Sequence, residues 1–226
     1  MSGALPDLTP FFDRYEGHAR EADALFERVR SSYPDLVICK EQCSSCCHAL
    51  FDLSLVEALY LNRTFLERIG DGSVRDAILT RADQADRQAT RIKRKAFKDS
   101  QAGKESNDIL QEMASLSLRC PLLDDDDRCA LYQFRPITCR LYGVPTAIGG
   151  KAHTCGKTGF MQGVAYPTVA LDTIQHRLNA LSEELAAYIG SAYTQLSSMY
   201  VPVSSALLTA YDAEYLGVGG IPGEKD

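Results

Sequence analysis

The sequence predicts a mainly α fold: a helical domain with a small Cys-bearing β-hairpin insertion organised around a metal site. Three observations carry the prediction. Apolar residues recur at steps of three and four in long stretches towards both ends of the chain. Short strand-like pieces flank turn signals between residues 119 and 153. Eight cysteines avoid the apolar stripes and gather in two groups. The 226 residues are read as a single domain over 1–226, with a cysteine-cluster core at about 39–160 and flanking helices over 9–33 and 168–215.

The elements follow in order. Thr9 is placed to cap a helix with Pro10 at its first position. Phe12, Tyr15, Ala19, Ala22, Phe26 and Val29 then make one apolar face, and Pro34 ends it. His18 stands beside that stripe and is read as a satisfied or exposed histidine. Cys39 to Cys47 is a polar loop. Ser54 and Glu57 form a capping box for a helix with Leu55, Leu59, Leu66 and Ile69, closed by Gly70. Ser73 and Asp76 predict a second box and a helix to about Ala102, with Val74, Ile78, Ala85, Ala89, Ile92 and Ala96 as its thin stripe. Its basic end, Arg87 to Lys104, is read as a solvated face; the alternative is a docking patch for an acidic protein partner. Asn107–Ser115 is a short helix.

Arg119–Leu123 and Arg128–Tyr132 then read as a hairpin around an acidic turn, Asp124–Asp127. That turn lacks the alternating ligands and glycine of a calcium loop. Thr146–Ile148 and Lys151–His153 flank Gly149-Gly150 and predict a second hairpin. After Pro167, residues Ile174, Leu178, Leu181, Leu185 and Tyr188 predict a helix closed by Gly190, with His176 on its exposed side. A last helix is expected over 203–215, followed by a glycine-rich tail, Gly217–Gly220.

Composition narrows the function. Hydrophobic residues make up 45% and charged residues 24%, which excludes a disordered chain. The net charge of −6 provides no overall basic field, so no nucleic acid is expected as partner. The first twenty residues have neither a basic region nor an apolar run, so they do not read as a secretory signal. Leu185 to Tyr211 carries no charge and is long enough to span a bilayer. It holds many Ser and Thr, and Pro202 interrupts it, so it reads as two buried helices and a turn, with no membrane involvement. A cytoplasmic location is expected. Thiols stay reduced there, and clustered cysteines read as metal ligands or redox groups.

Cys39, Cys43, Cys46 and Cys47 lie within nine residues; Cys120, Cys129, Cys139 and Cys155 follow later. Loops that gather thiolates from two distant segments are what a metal site needs. Only Cys43 and Cys46 have the C-x2-C spacing of a zinc knuckle. Iron–sulfur clusters also take thiolates and tolerate looser spacing. In an extended segment the neighbouring Cys46 and Cys47 point to opposite sides, so one can face a cluster and the other a second site. Eight thiols allow two four-ligand sites, or one site and spare thiols, and the sequence does not choose. His48 and His153 are candidate substitutes for a thiolate or second-layer hydrogen-bond donors. Arg135 and Arg140 bracket Cys139 and would offset thiolate charge. The two cysteine groups, 72 residues apart (48–119), are expected to meet in space.

Three motifs, Cys43-Ser-Ser-Cys46-Cys47, Cys120-Pro to Cys129-Ala-Leu-Tyr132, and Arg135-Pro136-Ile-Thr-Cys139-Arg140, resemble the YkgJ-type cysteine-cluster family with its CxxCxxCC signature. The resemblance covers roughly residues 39–160. Cys39 and Cys43 have three residues between them where the signature has two, which leaves the role of Cys39 least defined. The resemblance implies a zinc- or iron-chelating domain. The family also includes flagellin lysine N-methylases that are thought to use an iron–sulfur cluster and S-adenosylmethionine.

Two functions follow. The first is a metal-binding protein holding an iron–sulfur cluster, [4Fe–4S] before zinc, in a structural or redox role. The alternative is a cluster-dependent protein lysine N-methylase using S-adenosylmethionine, supported locally by Cys39-x3-Cys43-x2-Cys46. Against it, Ser45 stands where radical S-adenosylmethionine enzymes favour an aromatic residue, and the alternating strands and helices of their barrel are missing. A vicinal Cys46–Cys47 oxidoreductase is weaker still, since it needs a strained ring and leaves six thiols unexplained.

Overall fold

The computed structural model describes residues 5–219 except Glu41 and Gln162. Seven α-helices are present among the described residues: α1 (Thr9–Ser32), α2 (Leu55–Arg68), α3 (Ser73–Gln101), α4 (Ser106–Ser115), α5 (Ile137–Leu141), α6 (Leu171–Tyr188) and α7 (Val203–Leu208). Five short strands accompany them: β1 (Asp52–Leu53), β2 (Thr146–Ile148), β3 (Lys151–His153), β4 (Val169–Ala170) and β5 (Val201–Pro202). The mainly α expectation holds.

Helix α2 is the centre. Ten of its fourteen residues are buried, so it is covered on every side rather than along one stripe. One face joins α1, α5 and α6 through Tyr15, Leu55, Leu59, Ile137, Leu178 and Leu181. The opposite face joins α3 and α7 through Leu61, Phe65, Ile78, Ala82 and Leu207. Its buried polar residues are each occupied. Asn62 donates to the carbonyls of Ala206 (2.8 Å) and Thr209 (3.1 Å), satisfying the C-terminal end of α7.

The sheets are small. β1 pairs antiparallel with β5. β2 lies between β3, antiparallel, and β4, parallel, and β4 runs straight into α6. Gly149 and Gly150 both have positive φ, as a two-residue turn between strands requires, so the second hairpin forms as expected.

Several expectations are corrected. Leu8, not Thr9, takes the cap position of α1, and Thr9 is already helical, its N–H donating to the Asp7 carboxylate at 3.0 Å. Ser73 is already helical and Gly72 caps α3, so the second capping box does not form. Leu66 and Val74 are exposed, at 51% and 64%, because they sit at helix ends beyond the core. The acidic hairpin reduces to one bridge, Leu123 to Cys129. Asp124 there accepts from the N–H groups of Asp126 and Arg128, which makes a tight turn rather than a strand end.

The β-hairpin over 146–153 carries no cysteine, Cys46 and Cys47 lie on a 3-10 turn, Cys129 on the single bridge and Cys139 on α5, and the others are borne by loops. The flanking 168–215 region holds the two expected helices, α6 ending at Tyr188 just before Gly190, but the last one is shorter than 203–215 and stops at Leu208. Gly217 pairs its carbonyl with the Ala192 N–H, so the described part of the tail is tied down. Gly220 lies outside the described residues. No described helix is long and apolar enough to cross a membrane.

Candidate metal centre

The first cysteine segment begins where α1 ends. Tyr33, Phe160 and Tyr166 pack edge to face and clamp that corner. The Gly159 N–H donates to the Leu36 carbonyl at 3.0 Å, so the stretch carrying Cys155 lies beside the one carrying Cys39. Cys46 and Cys47 sit on a single 3-10 turn, Ser45–His48. Cys47 is buried and Cys46 half-buried, and because the pair lies on a turn and not in an extended segment, both thiols line the same chamber.

The excursion from residue 48 to 119 closes on backbone hydrogen bonds. Leu118 N–H donates to the His48 carbonyl at 3.1 Å, and Cys120 N–H to the Cys47 carbonyl at 2.7 Å. The two cysteine segments therefore meet. The meeting point lies against α5, whose first N–H, on Ile137, donates to the buried Glu57 carboxylate at 3.3 Å. The same carboxylate completes the capping box of α2 through Ser54 and accepts from the Tyr15 hydroxyl. One buried acid thus fixes both the central helix and the helix that bears Cys139.

Two chambers open at this point. The inner one is mostly apolar, walled by Leu50, Leu122 and Val203, and is lined by the thiols of Cys46, Cys47, Cys120, Cys129 and Cys139. The outer one, about 360 Å³, is lined by Cys39, Cys43, Cys46, Cys139 and Cys155 beside Tyr142 and Gly143. Cys46, Cys139 and Arg135 belong to both. At Gly143 a side chain would overlap the Cys39 sulfur and come within 3.3 Å of Phe26, so only glycine leaves Cys39 its place.

All eight cysteines are free thiols. Their acidities differ by position. Hydrogen bonds from the Cys139 and then the Cys47 thiol hold Cys46 well below the usual thiol range, and the Arg135 charge acts in the same direction. The converse holds for the donors: Cys139 and Cys47 are pushed up, first by that hydrogen bond and then by burial. Burial raises Cys39 and Cys120 to about 12, and raises Cys129 as well.

Arg135 and Arg140 do different jobs. Arg140, only 8% exposed, donates to the carbonyls of Gln133 (2.5 Å) and Arg135 (2.9 Å) and pairs with Asp23 of α1 at 2.5 Å. It holds the backbone leading into α5. Arg135 stacks on Tyr132, 4.1 Å from the ring centre, and lines both chambers. His48 is half-buried and His153 exposed on β3, and the lining of neither chamber includes them.

Sequence reasoning did not single out Asp23, Gly143 or Tyr142, and it used Glu57 only as a cap. Glu57's second role had a faint signal, a Glu that caps one helix inside an otherwise apolar one. Asp23 and Gly143 have none, since each acts through a neighbour far away in sequence.

Among the described residues, no three Cys, His, Asp or Glu side chains already stand in a metal-holding group. The thiols instead line two adjoining chambers that share Cys46 and Cys139. The donor set nevertheless fits a metal in kind and number. Eight soft sulfurs, none in a disulfide, suit zinc or an iron–sulfur cluster and do not suit the hard cations that prefer oxygen.

A helical scaffold that carries eight thiols to one junction defines a cysteine-cluster protein. The family model for the CxxCxxCC domain, described as a putative zinc- or iron-chelating domain, matches residues 38–156, more than half of the chain. The chain belongs to this family. No curated protein and no solved structure matches it.

Proposed function

We propose that the protein binds metal through these thiols and that its native occupant is an iron–sulfur cluster of the [4Fe–4S] type, in a structural or redox role. The observation that carries this reading is the meeting of thiols from two distant segments around Arg135, with Cys46 and Cys139 lining both chambers. Structural zinc sites draw on paired C-x2-C knuckles, and this chain has one. Iron–sulfur clusters take widely spaced thiolates, and nearby cationic donors tune them. When bound, such a cluster supplies either one-electron chemistry or a cross-link between the two segments. The chain's own contribution is to exclude water on the inner side, to offset thiolate charge with Arg135 and to fix Cys139 through Glu57 and Arg140. The cytoplasm is the location this reading favours, because free thiols persist there.

The test is anaerobic purification followed by absorption spectroscopy and analysis for iron, acid-labile sulfide and zinc. A brown protein with matching iron and sulfide is expected. A colourless protein holding zinc would overturn the choice of metal.

A further inference from the structure

The eight thiols divide in a way that one centre does not explain. Cys47, Cys120 and Cys129 line only the inner chamber, and Cys39, Cys43 and Cys155 only the outer one. Cys46 and Cys139 line both chambers and form the wall between. Three private thiols on each side and two in the wall are the count for two four-ligand centres. Neither wall thiol belongs to one chamber alone, so each can complete one four-thiol set.

We infer that the protein carries two separate thiolate centres, back to back: an inner one around Cys47, Cys120 and Cys129 and an outer one around Cys39, Cys43 and Cys155, each completed by one of the two wall thiols, Cys46 and Cys139. This rests on the thiolate reading above and adds the number of centres and the partition of their ligands. Arg135, which lines both chambers, offsets charge for both. Gly143 is the device that admits Cys39 to the outer centre. On binding a divalent ion, each neutral thiol that ligates loses its proton to solvent and gains a sulfur–metal bond; no electron moves.

Cobalt(II) is the probe, since four thiolates around it give an intense sulfur-to-metal absorption. The full chain, freed of metal and kept anaerobic, is titrated and the breakpoint read. Two cobalt ions per chain are expected. Cys129→Ser and Cys155→Ser should each reduce the breakpoint to one. Gly143→Ala keeps all eight thiols and should weaken one of the two sites by about ten- to a hundredfold while sparing the other. A breakpoint at one ion in the unaltered chain would overturn the partition, as would loss of all cobalt in each Cys variant that remains folded. Should a variant fail to fold, the unaltered chain's stoichiometry still decides. A folded, unaltered chain that binds no cobalt would instead overturn the thiolate reading itself.

Discussion

Replacing Glu57 by Gln changes one atom of a buried carboxylate and should cost the fold about 1–3 kcal/mol. One carboxylate oxygen accepts from the Tyr15 hydroxyl (3.4 Å) and the Ile137 N–H (3.3 Å); the other accepts from the Ser54 N–H (3.3 Å) and hydroxyl (3.1 Å). Each oxygen thus faces one hydroxyl, which can turn round and accept, and one backbone N–H, which cannot. Whichever way the Gln amide is placed, its NH2 meets a backbone donor and orphans it. The estimate is the cost of one buried unsatisfied donor.

The pH dependence has a definite sign. Burial raises the Glu57 pKa, and its hydrogen bonds only partly oppose that. The folded protein therefore holds this proton more tightly than the unfolded chain. The contribution is fully present below the ordinary carboxylate pKa and is lost as pH rises through the raised folded value. Urea unfolding of the metal-free chain, followed by circular dichroism between pH 4 and 8, measures both effects. Glu57→Gln should lower stability most at pH 4, where Glu57 is protonated, and remove this part of the slope. A variant as stable as the unaltered chain to within ~0.5 kcal/mol would refute the account of the junction.

Three further outcomes are expected. Arg140→Lys loses the fork that spans two carbonyls and Asp23, and should cost about 1–3 kcal/mol and lower metal content through Cys139, measured by unfolding and metal analysis. Reversing Arg91, Lys95 and Lys98 to Glu should leave metal content unchanged and the melting temperature nearly so, since these side chains are exposed and Lys95 only pairs with Asp99 and Glu112. Metal affinity should fall as pH falls, because each ligating thiol must give up a proton, and a competition titration at pH 6 and pH 8 reads this directly.

The long helices were legible because their apolar residues repeat. The Ser54–Glu57 box was legible because two residues suffice to define it. Cys139's helix was not: five residues are too few to show a period, and the Pro136 before it reads as a break. The second capping box failed because Gly72, at φ +130°, takes the cap position with no side chain. That the two cysteine groups would meet was readable from their separation by helices. How the thiols divide was not, because it depends on two chambers that meet at Cys46 and Cys139 and on Gly143 lying opposite Cys39.

The hydrogen bond from Cys120 N–H to the Cys47 carbonyl also sets a timetable. On the ribosome, Cys39 to Cys47 emerge first, and 72 residues must follow before Cys120 appears. At about 5–20 residues per second, that is an interval of roughly 4–14 s. Throughout it the nascent chain displays four thiols without the four that complete their setting. The second cysteine segment, and not the first, is the one whose arrival ends their exposure to stray metal and oxidant.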